Sequence, residues 1–573
     1  MIETADHLRP YQVNGVDAVF EQWDKGIQAT LIDQATGTGK TVEIAEVVRR
    51  AQPKRALILA HRRELVWQGH EKIEKFTGLN VEVEMAGERA SVNLFSKCHA
   101  VVSSVQSQTP GRRSDPNSFD LLIIDEAHHV KPGNKSYLDV INHYKQNPNL
   151  KILGVTATVE PACLKVFESI AYSYPLLTAI SEGYLVNVEQ QMVEVFGLDY
   201  SHVRTTAGDL NGADLAAVVE NERICQGMIT ATLETMFGVP NGALNDLPIE
   251  KWSEYLFADG KPKRNLIFTV SVAQAKMMSD ILNRVHPGIS AWVCGDSNLV
   301  SEERRAEIGE DFNNGKLLIV CNCGVYSEGY DNPGIEMVTM ARPTKSKTLF
   351  TQQIGRGTRT LEGTIDGLNT AEERLAAISA STKKSLLVLD FVGNCGKHKL
   401  ISAVDLLGDK FSEEVRERAR KKVTKAAKPQ NMAELLKLSE EELAAEKLER
   451  DRQEAARKAR LVAKASYLLT SLDPFERLKV KRQPPSAWEK RNGFVLSEKQ
   501  RAVIRNLGVS PDEISVSCAR KLIGAHFNGP CSEAQAKVLK KFGYETNCSK
   551  KEASAIIEAL AKNNWQRPVE QPA

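Results

Sequence analysis

The run Ala35-Thr36-Gly37-Thr38-Gly39-Lys40-Thr41 follows an apolar stretch and leads into Val42-Glu43-Ile44-Ala45. Glycines so spaced let successive backbone N–H groups turn inward around an anion, and a helix start favours the negative charge. In such a loop Lys40 reaches the β- and γ-phosphates of a nucleotide, and the Thr41 hydroxyl can ligate Mg2+. The GxxxxGK[ST] pattern opens on Gly, where this chain has Gln34. A second chemical pair, Asp125-Glu126, closes the apolar run Leu121–Ile124 and is followed by Ala127-His128. At the C-terminal end of a buried strand, Asp125 would hold Mg2+ through its water shell and Glu126 would polarise an attacking water. Further on, Gln352, Arg356 and Arg359 are spaced i, i+4 and i+7. That spacing predicts one helix face carrying two guanidiniums, which can stabilise charge developing on a γ-phosphoryl group.

These groups need sheet edges to hold them, and the sequence provides strand candidates between longer amphipathic stretches, as in βα units. Thr30–Asp33, Ala56–Ala60, Ala100–Ser103, Leu121–Ile124 and Ile152–Val155 form a first series. Leu266–Val270, Leu317–Cys321, Met337–Met340 and Leu386–Leu389 form a second, after a break near residues 190–262. Two similarly built α/β domains are expected, with the turn-rich stretch Gly238–Arg264 as an insertion opening the second. From about Ser412 to Lys464 the chain is dense in Glu, Lys, Arg and Ala, which predicts two charged helices, the second from about Met432. A repeat of period 35 follows: Ser497-Glu498-Lys499-Gln500, Val503-Ile504 and Leu507-Gly508 recur as Ser532-Glu533-Ala534-Gln535, Val538-Leu539 and Phe542-Gly543. Each copy reads as two short helices joined at a glycine, burying its apolar face against its twin.

Over 573 residues the composition is that of an ordinary globular protein, 42% hydrophobic and 26% charged, which excludes a disordered or fibrous chain. No apolar run approaches the ~18 residues that cross a bilayer, and Met1–Asp6 has neither a basic nor an apolar leader region. The net charge of +2 conceals an asymmetry: residues 406–573 carry +11 and residues 1–405 carry −9. A basic tail on an acidic body is suited to a polyanion, above all nucleic acid. Ten cysteines occur without any CxxC, which speaks against a disulfide framework and for a reducing compartment. Cys518, His526, Cys531 and Cys548 cluster in the repeat, but their spacing fits no zinc pattern, so they are expected to be buried thiols. Trp488, Phe494 and Trp565 lie among basic residues, where they either pack or stack on bases.

Taken in order, these pieces resemble helicase superfamily 2. The phosphate loop is similar to motif I in its AxxGxGKT form, Asp125–His128 to a DEAH-type motif II, and Gln352–Arg359 to motif VI. Leu8-Arg9-Pro10-Tyr11-Gln12 resembles the family's adenine-reading segment, with Gln12 as the adenine contact. Ala60-His61-Arg62-Arg63-Glu64-Leu65 resembles motif Ia and Ser103-Ser104-Val105-Gln106-Ser107 motif Ib. Thr156-Ala157-Thr158 is similar to motif III and Ser327-Glu328-Gly329-Tyr330-Asp331 to motif V. The wording HRREL, DEAHH and SEGYD, with Asp390-Phe391-Val392-Gly393-Asn394, resembles the branch of restriction translocase subunits and phage recombination helicases.

The resemblance implies two tandem RecA-like parallel-sheet domains, at 1–190 and 191–405, then a charged helical linker, 406–470, and a basic helical module, 471–573. It implies ATP and Mg2+ as cofactors. Lys40, Asp125, Glu126, Gln352, Arg356 and Arg359 would be catalytic, and Ala35, Thr36, Gly37, Thr38, Gly39, Thr41, Gly329 and Asp331 would join Gln12 around the nucleotide. His61, Arg62, Arg63, Ser104 and Gln106 would grip a nucleic-acid backbone, and His128, Thr156 and Thr158 would couple the two events. The expected activity is an ATP-dependent DNA helicase or translocase of the cytoplasm of a bacterium or phage-infected host, with a partner protein or DNA held by the repeat. The alternatives are a double-strand remodeller that does not separate strands, an RNA helicase, and an ATP-switched clamp.

Overall fold

The computed structural model describes residues 8–52, 55–92, 97–258, 262–327, 329–394, 398–426, 428–470, 473–493 and 496–566. They form two compact units, Met1–Ala444 and Ala445–Ala573. In the first unit the strands β1 (Ala29–Gln34), β2 (Ala56–Ala60), β3 (Val81–Glu84), β4 (Ala100–Ser104), β5 (Leu121–Asp125), β6 (Lys151–Thr156) and β7 (Ser169–Tyr174) make one sheet. Its order is β3-β4-β2-β5-β6-β1-β7, and every pairing is parallel. Interior parallel strands are covered on both faces, so β2 and β5 are apolar almost throughout. In β5, Leu121 and Ile123 enter one core, with the helices α1 (Pro10–Asp24), α2 (Lys40–Ala51) and α3 (Arg63–Thr77). Leu122 and Ile124 enter the other, with Tyr137, Val140 and Ile141 of the helix Lys135–Tyr144.

The second sheet of this unit begins with β8 (Asn187–Asp199). After a two-residue hairpin of β9 (Thr205–Thr206) and β10 (Asp209–Leu210) come β11 (Asn265–Phe268), β12 (Ser290–Cys294), β13 (Ile319–Cys323), β14 (Met337–Met340), β15 (Ser385–Asn394) and β16 (Gln430–Asn431). The order is β12-β13-β11-β14-β15-β8-β16, parallel except for β16. Two RecA-like sheets of seven strands thus stand in tandem, with a helical C-terminal region after them.

Several expectations need correction. Where a break was expected from about residue 190, the chain continues as β8, paired along almost the whole of β15. Within the turn-rich stretch Gly238–Arg264, Leu244, Trp252 and Leu256 are buried in the core of the second domain. Strand Leu317–Cys321 lies two residues later, because the N–H groups of Lys316 and Leu317 donate to Asp311 O and close the preceding helix instead. Strand Leu266–Val270 stops at Phe268, since the Val270 N–H donates to Gln274 Oε1 of the next helix.

The two charged helices run Glu413–Lys425 and Met432–Thr470. In the second unit the repeat is two helical pairs, Glu498–Asn506 with Val516–Asn528 and Glu533–Lys541 with Lys550–Lys562. The first helices of both copies start with the same reciprocal cap, Ser497 with Gln500 and Ser532 with Gln535, and turn out at Gly508 and Gly543, φ +77° and +75°. Ile504, Ile514 and Leu522 centre the apolar core of the first copy, and Leu539, Ala553 and Leu560 are buried in the second. Of the cysteines, Cys518 is buried, whereas Cys531 and Cys548 are half-buried. Trp488 and Trp565 are 64% and 50% exposed, and Phe494 lies outside the described residues.

Candidate nucleotide site

The phosphate loop bridges the end of β1 and the start of α2. Gly37 and Gly39 hold φ of +93° and +87°, values that only glycine adopts without strain. The loop is braced internally by Thr38 Oγ1 donating to Ala35 O at 2.6 Å and by Lys40 Nζ donating to Gln34 O at 3.5 Å. α1 holds it from outside. Tyr11 OH and Gln12 Nε2 both donate to Thr38 O, at 2.7 and 3.1 Å, and Tyr11 stacks on Tyr174 at 4.3 Å. Burial pushes the Tyr11 phenol up to about 12, so it stays a donor. The structure thus places Gln12 on the loop backbone itself, its Oε1 accepting from Arg9 N at 2.9 Å. A Cβ on Gly39 would come within 2.7 Å of the Gln12 amide.

β5 delivers Asp125 and Glu126 to the same edge. Glu126 has a left-handed φ of +52°, which lifts its side chain out of the strand direction. Its carboxyl is buried, which opposes charge, but Lys40, His128 and Arg356 outweigh burial and hold it well below the usual carboxylate range. Glu126 is therefore ionised and able to orient a water. His128 Nδ1 lies 3.3 Å from Glu126 Oε2 and 3.2 Å from Thr156 Oγ1. Thr156 Oγ1 donates to Thr158 O at 3.1 Å, and Thr158 Oγ1 donates to Thr348 Oγ1 of the second domain at 3.2 Å. Gln352 Nε2 stands 3.5 Å from His128 Nε2. A tautomer with the proton on Nδ1 lets His128 donate to Thr156 Oγ1 and accept from Gln352 Nε2. The acidic pair is thus joined to the second domain through buried and half-buried polar side chains.

The arginine segment departs from the single helix face expected for Gln352, Arg356 and Arg359. The helix runs Lys347–Gly355 and stops there. Gly355 lies so close to the phosphate loop that a Cβ would sit 2.5 Å from Thr36 Cβ, and a Cβ on Gly357 would overlap Leu386. Beyond them Thr358 O accepts from Val186 N at 2.8 Å, and Arg359 bridges to Leu185 in antiparallel fashion. Packing against Leu185–Val186 draws the backbone out of the helix. Both guanidiniums still reach the same place. Arg356 Nη1 donates to Tyr330 O at 2.8 Å, and Arg359 pairs with Asp331. Burial draws Arg359 down to about 10.

These groups surround one cavity of about 100 Å3. Thr36, Gly37, Gly39, Lys40 and Thr41 line it from the loop, Asp125 and Glu126 from β5, and Gly329, Asp331, Arg356 and Arg359 from the second domain. Glu328 lies outside the described residues. Thr36 Oγ1 is a buried polar atom without a partner, as expected of a cradle for a polar ligand. Thr41 and Asp125 supply hard oxygen donors, and among the described residues no larger acidic or histidine cluster could cage a metal. That donor set fits Mg2+, which takes one or two protein oxygens and fills its shell with water and phosphate. The sequence patterns missed Gln68 and Lys72, which line the same cavity from α3. Their only signal is the i, i+3, i+7 spacing with Leu65.

The residues expected to grip nucleic acid do not line the phosphate cavity. Arg62 Nη1 donates across the domains to Gly324 O at 2.9 Å, and Arg63 forms an exposed 2.9 Å ion pair with Glu302. His61 stacks on His129 at 4.3 Å. Ser104 is buried and its hydroxyl accepts from Ser107 N at 3.2 Å, whereas Gln106 is exposed and donates to His61 O.

With this geometry established, comparison with known proteins gives two family matches. Residues 6–161 match the type III restriction enzyme res subunit, and residues 248–360 match the helicase conserved C-terminal domain. A Saccharomyces cerevisiae protein bearing the name of an ATP-dependent helicase, IRC3, is 28% identical over 375 residues, 62% of this chain and 50% of that one. The type I restriction enzyme EcoAI endonuclease subunit of Escherichia coli is 24% identical over 374 residues, 61% of this chain and 44% of that one. The chain spans about half the length, or less, of these relatives. The solved type ISP restriction-modification enzyme LlaBIII aligns with 98% of this chain and 40% of its own, at 14% identity and a TM-score of 0.44. The two family matches and these relatives make the chain superfamily 2 helicase-like. Among the described residues no helix is long and apolar enough to cross a membrane.

Proposed function

We propose that this chain is an ATP-driven DNA motor that couples hydrolysis between its two RecA-like domains to movement along DNA. The observation that carries this reading is the shared cavity, in which Lys40, Asp125 and Glu126 of one domain face Arg356 and Arg359 of the other. Lys40 neutralises the β- and γ-phosphates, while Thr41 and Asp125 would hold Mg2+, which would add charge neutralisation. Glu126, kept anionic, aligns the attacking water. Arg356 and Arg359 stabilise the charge that spreads over the departing phosphoryl group.

Movement requires that the state of the nucleotide reach the partner domain. The path Glu126–His128–Thr156–Thr158–Thr348 begins beside the water and ends on the second domain, which supports coupling through it. Residues 1–190 and 191–405 then act as the motor halves, with the start of 406–470 packed onto the second half as far as Leu436, the rest of that segment as a linker and 471–573 as a basic anchor. Motif wording and the match to a restriction subunit favour DNA over RNA. The same match also favours a second reading, duplex translocation without strand separation.

The test is the ATPase rate with single-stranded DNA, duplex DNA and single-stranded RNA, with Lys40→Ala as blank. We expect stimulation by DNA above RNA, rising with DNA length as a translocating motor requires. Preference for RNA would overturn the substrate assignment, and stimulation independent of length would favour a stationary clamp.

A further inference from the structure

Lys72 belongs to no motif, yet α3 carries it to the wall of the phosphate cavity. Leu65 packs on Gly329, where a Cβ would meet it at 3.4 Å, and Gln68 Nε2 donates to Gly329 O at 2.6 Å. These contacts fix the same face of α3 against the second domain, and Lys72, one turn past Gln68, enters the cavity beside Lys40, Arg356 and Arg359.

Its ammonium is poorly served there. Burial is the largest force against its charge, Arg359 and Arg356 add to it, and the main counterweight is Asp125. The other cations have acceptors in place: Lys40 on Gln34 O, Arg356 on Tyr330 O and Arg359 on Asp331. Lys72 has no hydrogen-bond partner among the described residues. A half-buried cation crowded by like charges and lacking an acceptor is stabilised when a multiply charged anion enters between them. A phosphoryl group at the mouth of the Lys40 loop, facing Arg356 and Arg359, is such an anion. A lysine suits the task because its rotating ammonium can follow an oxygen as bonds to phosphorus lengthen.

We propose that Lys72 is a further γ-phosphate-binding residue, a cation by which the site distinguishes a nucleoside triphosphate from a diphosphate. The inference rests on the ATP-hydrolysis reading above.

The experiment measures, on the full chain, affinities for ADP and for a non-hydrolysable ATP analogue, together with kcat and KM. Three variants are used: Lys72→Met, Lys72→Gln and Lys72→Arg. We expect the two neutral variants to lose tenfold or more in affinity for the analogue, about 1.4 kcal/mol, with ADP affinity within twofold of the parent and kcat reduced. Lys72→Arg is expected to recover most of the loss. Retained ADP binding serves as the measure of folding. Equal losses for both nucleotides, or no loss for either, would overturn the role of Lys72. If the parent chain itself neither binds nor hydrolyses ATP, the hydrolysis reading fails instead, and the two failures are told apart by that control.

Discussion

Asp390, inside β15, and Lys383, two residues before its start, are buried titratable groups, and neither has a role at the nucleotide. Asp390 accepts from Gln190 Nε2 at 3.0 Å, but burial dominates and pushes its carboxyl up to about 7. Lys383 Nζ donates to Pro333 O at 2.6 Å; burial draws the amine down to about 7, with Glu336 opposing and Arg359 and Arg264 adding to the fall. The signs follow from linkage. Between about pH 4 and 7 the folded chain keeps a proton on Asp390 that the unfolded chain releases, so stability falls as pH rises. Between about pH 7 and 10 the unfolded chain keeps a proton on Lys383 that the folded chain lacks, so stability rises. Thermal unfolding across pH 5 to 10 should therefore show a minimum near neutrality. Asp390→Asn should flatten the acid limb and Lys383→Met the alkaline limb, by a few degrees in Tm; variant curves parallel to the parent would refute the assignment. At this scale legibility followed locality. Lys40, Asp125 and Glu126 sit in short runs whose spacing carries their chemistry, and the cavity brings them together. Lys72 and Gln68 are ordinary polar residues on a helix, and only the tertiary approach of α3 to Gly329 gives them a place.

The same distinction separates the strands. β2, β5 and β14 are interior, apolar on both faces, and stand out in the sequence. β3, with the sequence VEVE, β7, with SIAYSY, and β12, with SAWVC, are edge strands, partly wetted and therefore polar enough to pass for connections. The helix Lys347–Gly355 shows the other cause of error, because contacts remote in sequence end it where periodicity would extend it. That end also offers a test. Gly355→Ala should favour the helix by up to about 1 kcal/mol, yet the new methyl would press on Thr36 and push the arginine segment from the phosphate loop. We expect Tm to change little while ATPase falls tenfold or more. Unchanged ATPase would show that the approach of Gly355 to Thr36 is dispensable for arginine placement.

Across the whole chain, charge and chemistry are divided between regions. The apolar clusters that hold the two sheets draw their buried residues from no further than Leu436, so the motor has its own core. Residues 466–573 carry 18 Lys and Arg against 11 Asp and Glu, a net of +7. A surface of this kind, laid on a phosphate backbone, releases counterions and makes binding weaken steeply with salt. A chain ending at residue 465 should then keep the basal ATPase of the parent, because every group around the cavity remains. Its affinity for DNA should fall roughly tenfold at low salt, and the dependence of log Kd on log salt should flatten by about one unit for each phosphate that is no longer neutralised. A titration of labelled DNA at several salt concentrations, beside an ATPase assay without DNA, reads both quantities. Affinity and salt slope equal to the parent's would mean that the basic repeat serves a protein partner. A loss of basal ATPase would mean that the region beyond 465 supports the motor itself, although its helices supply none of the residues around the nucleotide.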